Sequence, residues 1–309
     1  MKRGVNAIVH YDSSSDNEIP SPPPPKKRQA ILVPLPSLSP NLVVPTPVDN
    51  PALHQGRIRT TPHVDGNWAA HVYVSINLNR SHALYSLLSS VITQASQSVP
   101  TLHNLVMGQD RDKNYTELHI SLTRPIFIRA HQKEDLRQAV KKLAQRSPFT
   151  LSFTSFAELH NDENTRTFLT MEVGAGHHEL KKLCGDLEPF LQGLRQHSYY
   201  SSPRFHASIA WALLDQVLTS AKTNAGPPAI EAIASPTTSS SGDQMTASSP
   251  EPQIRAQFDT VPGLPEELIR TLNHQFVDRL SSPMVGSFDV NNLAVRIGKE
   301  IVLWPFSGV

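Results

Sequence analysis

Two short stretches of the 309-residue chain share one pattern: residues 117–123 read ELHISLT and residues 204–210 read RFHASIA. In both, apolar residues alternate with a histidine and, two positions later, a serine. Strict alternation over a short run predicts a half-buried β-strand, in which positions i and i+2 point to the same face. The apolar positions are therefore expected in the core: Leu118, Ile120, Leu122, Phe205, Ala207 and Ile209.

The polar face of each predicted strand suits cleavage of a phosphodiester. That reaction needs one group to accept a proton from the nucleophile and another to protonate the leaving oxygen, and histidine does both near neutral pH. A serine hydroxyl can donate a hydrogen bond to a phosphate oxygen. One His-x-Ser arises easily by chance among 14 histidines, but two strand-borne copies predict an active site. The candidate catalytic residues are His119, His206, Ser121 and Ser208, with no metal ion and no cofactor.

The doubled motif resembles the 2H phosphoesterase superfamily and, within it, the U6 small nuclear RNA 3′-end phosphodiesterase family. The strings that carry the closer resemblance are GRIR at 56–59, PH at 62–63, GNWAAHVYV at 66–74, NTRTF at 164–168 and IAW at 209–211. Tyr200, six residues before His206, matches a tyrosine that stacks on the terminal base in that family. The resemblance covers roughly residues 56–214 and, more weakly, 254–309.

The resemblance implies a metal-independent 3′–5′ RNA exonuclease of the nucleus that trims the oligouridine or oligoadenosine tail of U6 RNA, a splicing RNA. The 2′-hydroxyl of one nucleotide would attack its own 3′ phosphate. The product would be a 2′,3′-cyclic phosphate or, after ring opening, a 3′ phosphate. By analogy His206 would be the base and His119 the acid, and ring opening would exchange these roles.

Two other functions stay open on the sequence alone. One is a 2H enzyme with another substrate, such as a tRNA-splicing cyclic phosphodiesterase or a 2′-5′ RNA ligase. The other is a non-catalytic RNA-binding splicing factor that keeps the fold. The GNW and NTRTF strings weigh against the first alternative, and the two intact His-Ser pairs weigh against the second.

Composition limits the partners of the chain. The net charge is +1, so a surface that binds RNA must be a local patch. The single cysteine, Cys184, excludes an internal disulfide and a thiolate metal cage and is expected to be a small buried residue. Since no apolar run reaches transmembrane length, we expect a soluble intracellular protein without membrane contact. We also expect a monomer.

Two segments have the composition of disordered chain. Residues 1–53 are rich in proline, and residues 221–253 are rich in serine, threonine, alanine and proline. We therefore predict a disordered tail, followed by one phosphodiesterase domain over 54–309 that carries a disordered insertion. The KKR string at 26–28 is compatible with a nuclear-import signal and equally with a solvated basic cluster.

The remaining pattern predicts an α+β fold. Strands are predicted at 69–78, 117–123, 149–156, 166–173, 204–212, 287–297 and 300–306. Helices are predicted at 81–97, 132–146, 178–196 and 265–280. This order indicates antiparallel sheets with flanking helices and excludes a doubly wound nucleotide fold. With the resemblance, it predicts a bilobal, pseudo-twofold 2H-phosphoesterase-like fold in which two sheets place one His-x-Ser strand each beside a central groove.

Overall fold

The computed structural model of the chain describes residues 50–59, 61, 64–107, 114–215 and 258–308. The predicted insertion, the KKR string and nearly all of the predicted tail lie outside the described residues. At the end of that tail, Pro51–His54 forms a 3₁₀ turn. The side chain of Asn50 begins this turn by accepting a hydrogen bond from the Ala52 amide at 3.0 Å.

The described strands form one large antiparallel sheet. They are β1 (Asn67–Asn79), β2 (His103–Asn104), β3 (Tyr115–Ser121), β4 (Ile126–Arg129), β5 (Phe149–His160), β6 (Arg166–Val173), β7 (His206–Leu213), β8 (Ser287–Val290), β9 (Asn292–Ile297) and β10 (Glu300–Pro305). Their order is β10-β9-β1-β3-β7-β6-β5-β8, with β2 paired to β7 and β4 paired to β1. Each of these pairs is antiparallel, as predicted.

The sheet consists of two halves that meet at one residue pair. Strands β10, β9, β1 and β3 form the first half, and β7, β6, β5 and β8 form the second. The only register pair between β3 and β7 in the described chain is Ile120 with Ala207. In an antiparallel pair, the residues on either side of such a contact lie opposite each other. This register therefore directs Ser121 toward His206 and His119 toward Ser208.

Helices cover the apolar face of the sheet. They are α1 (Ala83–Ser98), α2 (Lys133–Leu143), α3 (His177–Gly193), α4 (Glu266–Leu280) and the short α5 (Pro283–Gly286). Helix α4 packs on β5 and on α1, whereas α2 packs on α3 and β9. The six apolar residues expected in the core from the two motifs are all buried there. No helix in the described ranges has the length and apolar character needed to cross a membrane.

The structure corrects one predicted strand and adds two short ones. The predicted strand at 287–297 is divided at Asn291 into β8, which pairs with β5, and β9, which pairs with β1. The alternation changes phase at this point, because Phe288 and Val290 occupy even positions whereas Leu293, Val295 and Ile297 occupy odd ones. The shift at Asn291-Asn292 was therefore a signal of the division that the single-strand prediction did not use. Strands β2 and β4 were not predicted because they are too short to show a period. Strands β9 and β10 form a hairpin whose turn contains Gly298, at φ 61°.

Candidate active site

A cavity of about 710 Å³ opens beside the junction of the two half-sheets. Ser121 lines it from the first half, and His206 and Ser208 line it from the second. Tyr200 lines it from the loop before β7. Four of the five sequence-predicted site residues therefore share one cavity, and the fifth, His119, is not among the lining residues.

The hydrogen bond of the His206 ring determines which nitrogen carries its proton. Nδ1 lies 2.6 Å from the carbonyl oxygen of Arg204. A carbonyl only accepts, so Nδ1 must donate, and in the neutral ring the lone pair is then on Nε2. Burial lowers the pKa of His206 below its ordinary 6.5. A neutral imidazole with a free Nε2 is the form required of a general base.

An ion pair fixes the chain segment that precedes His206. Both Nε and an Nη nitrogen of Arg204 lie within 2.7 Å of one carboxylate oxygen of Glu172, the residue opposite His206 on β6. Ser155 donates to the other oxygen of Glu172 at 3.2 Å. Because the carbonyl of Arg204 orients the imidazole, this network holds the ring of His206 toward the cavity.

The serine of the first motif is held by a histidine that the sequence analysis did not select. Nε2 of His71 lies 3.0 Å from Oγ of Ser121. Burial, with smaller contributions from the charges of His119 and Arg296, lowers the pKa of His71 to about 4. His71 is therefore neutral at physiological pH. In the tautomer with a proton on Nε2, it donates to Ser121 and leaves the serine hydroxyl hydrogen free for a ligand.

The ring of His119 packs away from the cavity. Its centroid lies 4.2 Å from that of Tyr73, and Nε2 lies 3.2 Å from Oε2 of Glu117. The two atoms are close but not aligned as a hydrogen bond, so Nε2 is buried without a hydrogen-bond partner. The contact with His119 lowers the pKa of Glu117, and hydrogen bonds from Ser75 at 2.6 Å and Tyr73 at 3.4 Å act in the same direction, against burial.

Tyr200 is fixed at the cavity wall by two neighbours. Its hydroxyl donates to Oδ1 of Asp162 at 2.6 Å, and the guanidinium of Arg124 lies 4.2 Å from its ring centroid. Burial and the bond to Asp162 raise the pKa of Tyr200 to about 12, so the phenol stays neutral. The ring of Tyr199 also packs against it, with the two centroids 5.0 Å apart. The side chain of Tyr200 remains 41% exposed.

Two further features concern possible metal ligands and the cysteine. In the described ranges, no group of three or more His, Cys, Asp or Glu side chains is arranged to hold a metal ion. Cys184 is buried, as predicted, and burial raises the pKa of its thiol to about 12. It is therefore an unreactive core residue rather than a nucleophile.

Known proteins resemble this chain over much of its length. A family model described as "HVSL: Uncharacterised conserved protein" matches residues 33–249. U6 snRNA phosphodiesterase 1 of Bos taurus is 31% identical over 170 residues, which cover 55% of this chain and 60% of that relative. The protein of the same name from Xenopus laevis is 28% identical over 223 residues, covering 68% of this chain and 81% of the relative.

The chain is also similar to solved structures. The structure of Kluyveromyces marxianus Usb1 with uridine monophosphate is 13% identical, with a TM-score of 0.46, and the match covers 76% of this chain and 97% of that one. These named relatives confirm the resemblance inferred from the sequence motifs. The match spans about 60% of the length of the Bos taurus relative. Since the family model covers more than half of its residues, the chain belongs to the HVSL family.

Proposed function

We propose that this chain is an RNA phosphodiesterase that trims the 3′ end of U6 small nuclear RNA one nucleotide at a time. The relatives that carry the name U6 snRNA phosphodiesterase 1 support the substrate. The reaction is supported chiefly by the pairing of Ile120 with Ala207, which directs the polar residues of both motifs toward each other. Three of those residues line a single cavity.

The proposed reaction is a transesterification within the RNA. Nε2 of His206 accepts the proton of the 2′-hydroxyl on the penultimate nucleotide. The bond from O2′ to phosphorus forms as the bond from phosphorus to the leaving O5′ breaks, and protonated His119 donates its proton to that oxygen. The products are a shortened RNA with a 2′,3′-cyclic phosphate and a released nucleoside. Water can then open the ring to a 3′ phosphate if the histidines exchange roles.

The surroundings of the two histidines support this division of roles. The Arg204 carbonyl leaves the lone pair of His206 available, whereas Nε2 of His119 lies 3.2 Å from the carboxylate of Glu117. The proposal requires His119 to leave its contact with Tyr73 and adopt another staggered rotamer when RNA binds. Ser121 and Ser208 would donate hydrogen bonds to the non-bridging oxygens of the phosphate.

Other parts of the proposal follow from the same resemblance. We infer a nuclear monomer that needs no metal ion or cofactor, and Tyr200 as the residue that stacks on the terminal base. The cavity supports this last role, because Tyr200 lines its wall and stays 41% exposed.

Trimming in the presence of EDTA tests the function. Purified protein is incubated with an RNA ending in oligouridine, and the product length is followed on a denaturing gel. The proposal expects stepwise shortening from the 3′ end and a cyclic or 3′ phosphate on the product. Binding without shortening would favour a non-catalytic RNA-binding factor. Opening of a 2′,3′-cyclic phosphate without trimming would favour another type of 2H enzyme.

A further inference from the structure

Two arginines lie over two adjacent aromatic rings on the polar face of the second half-sheet. Phe168 on β6 and Trp211 on β7 are cross-strand partners. The guanidinium carbon of Arg166 lies 5.3 Å from the ring centroid of Phe168, and that of Arg57 lies 5.4 Å from the ring of Trp211. We call Arg57, Arg166, Phe168 and Trp211 the arginine platform. Both arginines lie in strings that carry the family resemblance, GRIR at 56–59 and NTRTF at 164–168.

The backbone fixes Arg57 above the sheet. Its Nε donates to the carbonyl of His54 at 2.9 Å. The preceding residue, Gly56, has φ 78°, and a Cβ at that position would lie 2.5 Å from a methyl carbon of Leu213 on β7. Only glycine permits this close approach of the segment to the strand, so the backbone that carries the exposed Arg57 is held against β7.

The platform brings two guanidinium groups close enough for their charges to interact. Neither Arg57 nor Arg166 forms a salt bridge with any residue in the described part of the chain. Burial and the charge of Arg57 lower the pKa of Arg166, with Glu163 opposing them. A desolvated, unpaired guanidinium is costly, so the site favours an anion. The planar guanidinium fork matches phosphate in particular.

The aromatic rings support the arginines rather than offering a surface for bases. Trp211 is only 3% exposed, because Arg57 lies over it and the ring of His103 stacks on it at 4.2 Å. A base therefore has no open face of Trp211 on which to stack. The ligand chemistry that this arrangement selects is the negative charge of a phosphate.

The platform is continuous with the candidate active site. Phe168 lines the same cavity as His206 and Ser208. Trp211 follows Ser208 by three positions on β7, a distance of roughly 10 Å along a strand. A single RNA strand bound in the cavity can therefore reach both places.

We propose that Arg57 and Arg166 bind a backbone phosphate on the 5′ side of the scissile phosphate. This inference rests on the proposed function and adds a second phosphate site to it. An enzyme that releases only the terminal nucleoside leaves no phosphate on the 3′ side of the cut. A further phosphate within reach must therefore belong to the part of the RNA that remains, and the enzyme gains affinity from RNA longer than a dinucleotide.

The test compares a uridine dinucleotide, which has only the scissile phosphate, with a uridine hexanucleotide. The wild-type protein should show a higher kcat/KM on the hexanucleotide. In Arg57→Gln and Arg166→Gln this gain should fall roughly ten- to a hundredfold, the range expected for a lost charged hydrogen bond. The slope of log K against log salt for hexanucleotide binding should become shallower by about 0.7 per lost phosphate contact.

Arg270→Gln is the matched control, because this exposed arginine on α4 pairs only with its helical neighbours in the described structure. This variant should keep the wild-type gain in kcat/KM on the hexanucleotide and the wild-type salt dependence of hexanucleotide binding. Thermal melts identify variants that misfold. Because Arg57 is exposed, Arg57→Gln should fold and can test the inference even if Arg166→Gln does not fold. Inorganic phosphate, added as a competitor of dinucleotide cleavage, tests a free anion as the ligand.

The outcomes separate this inference from the proposed function. If the wild-type protein cleaves neither RNA, the proposed function fails. If it cleaves both, and Arg57→Gln keeps the wild-type length gain and salt slope, the phosphate site is overturned while the function stands. If the arginine variants are no longer inhibited by inorganic phosphate but keep the wild-type gain in kcat/KM on the hexanucleotide, the platform binds a free anion. That result would also overturn the inference.

Discussion

The two His-x-Ser strands have the same pattern but different neighbours. On β7, the ring of His206 donates to the backbone carbonyl of Arg204 and faces the cavity. On β3, the ring of His119 lies against Tyr73 beside the carboxylate of Glu117. A carbonyl fixes a tautomer without adding a charge, whereas a carboxylate attracts a protonated ring. In the proposed mechanism, these different surroundings allow equal motifs to serve as base and acid.

The serines of the two motifs differ in the same way. Ser121 is bonded to the buried, neutral His71, whereas no hydrogen bond to the Ser208 side chain occurs among the described residues. Ser121 is therefore pre-oriented by the protein, and Ser208 is left for a ligand to orient. Each half of the sheet contributes one histidine and one serine, and the protein pre-positions a different member in each half.

Removal of either histidine should have the largest effect. His119→Ala and His206→Ala should each lower kcat by about 10²- to 10⁴-fold, and the double variant should lose less than the product of both effects because the two act as a unit. Single-turnover trimming assays measure this. His274→Ala, at an exposed position on α4, is the control for loss of a histidine. Near wild-type turnover in either single variant would contradict the paired mechanism.

Substitution of the two motif serines should have the second-largest effect on kcat. Ser121→Ala and Ser208→Ala should each slow kcat by less than the roughly 10²- to 10³-fold typical of a lost oxyanion donor, because the remaining serine still donates. Only Ser121→Ala leaves the buried ring of His71 without its partner, which typically costs about 1–3 kcal/mol of unfolding free energy.

Urea denaturation measures that difference between the serines, with Ser90→Ala on α1 as the matched control. If the double serine variant turned over at the wild-type rate, the phosphate contacts would be wrong. Equal stability of the two single variants would show that the bond from His71 to Ser121 does not stabilise the fold.

Tyr200 should affect binding rather than chemistry. Tyr200→Ala should weaken RNA binding by the roughly 1–3 kcal/mol of one stacked base and reduce the preference for a terminal base, which KM and competition between oligouridine and oligoadenosine ends would report. Tyr200→Phe keeps the ring but loses the bond to Asp162, so its effect should be smaller. A fall in kcat with unchanged KM in Tyr200→Ala would exclude the stacking role.

The pH profile should show the smallest and most specific difference. Burial lowers the pKa of His206 from 6.5, so the base stays unprotonated to lower pH. The rate should rise with pH through a midpoint below 6.5 on the acid limb of kcat/KM. Glu117→Gln removes the carboxylate that lies 3.2 Å from Nε2 of His119, and it should leave the midpoint of this acid limb unchanged, because Glu117 is not among the groups that shift the pKa of His206. A shift of the acid-limb midpoint in Glu117→Gln would contradict the assignment of His206 as the base.

The strands and the motif residues could be predicted because alternation is a local property. Burial of Leu118 and Ile120 fixes the face on which His119 and Ser121 lie, and the same holds for β7. The part played by His71 could not be predicted, because it depends on the register of β1 against β3, which pairs Tyr73 with Ser121 and brings His71 within reach of that serine. One available signal was the alternation of His71, Tyr73 and Ser75 along β1, which places all three on the polar face.

Side-chain orientation was also beyond the sequence. The pattern places His119 on the correct face, but its contact with Tyr73 depends on the rotamer and on a neighbouring strand. The arginine platform likewise joins residues 109 positions apart, Arg57 and Arg166, through the pairing of Phe168 with Trp211. Long-range register and packing decide such contacts, and periodicity carries no information about them.

Selective removal of single 2′-hydroxyls tests the central claim, that His206 activates the 2′-hydroxyl of the penultimate nucleotide. Oligouridine RNA with one 2′-deoxy substitution at the penultimate position should resist cleavage, whereas the same RNA with a 2′-deoxy at the terminal position should be trimmed at nearly the normal rate. Efficient cleavage of the penultimate-deoxy RNA would mean that water or a protein group attacks the phosphate. The cyclising mechanism, and with it the role of His206 as the base toward the RNA, would then be wrong.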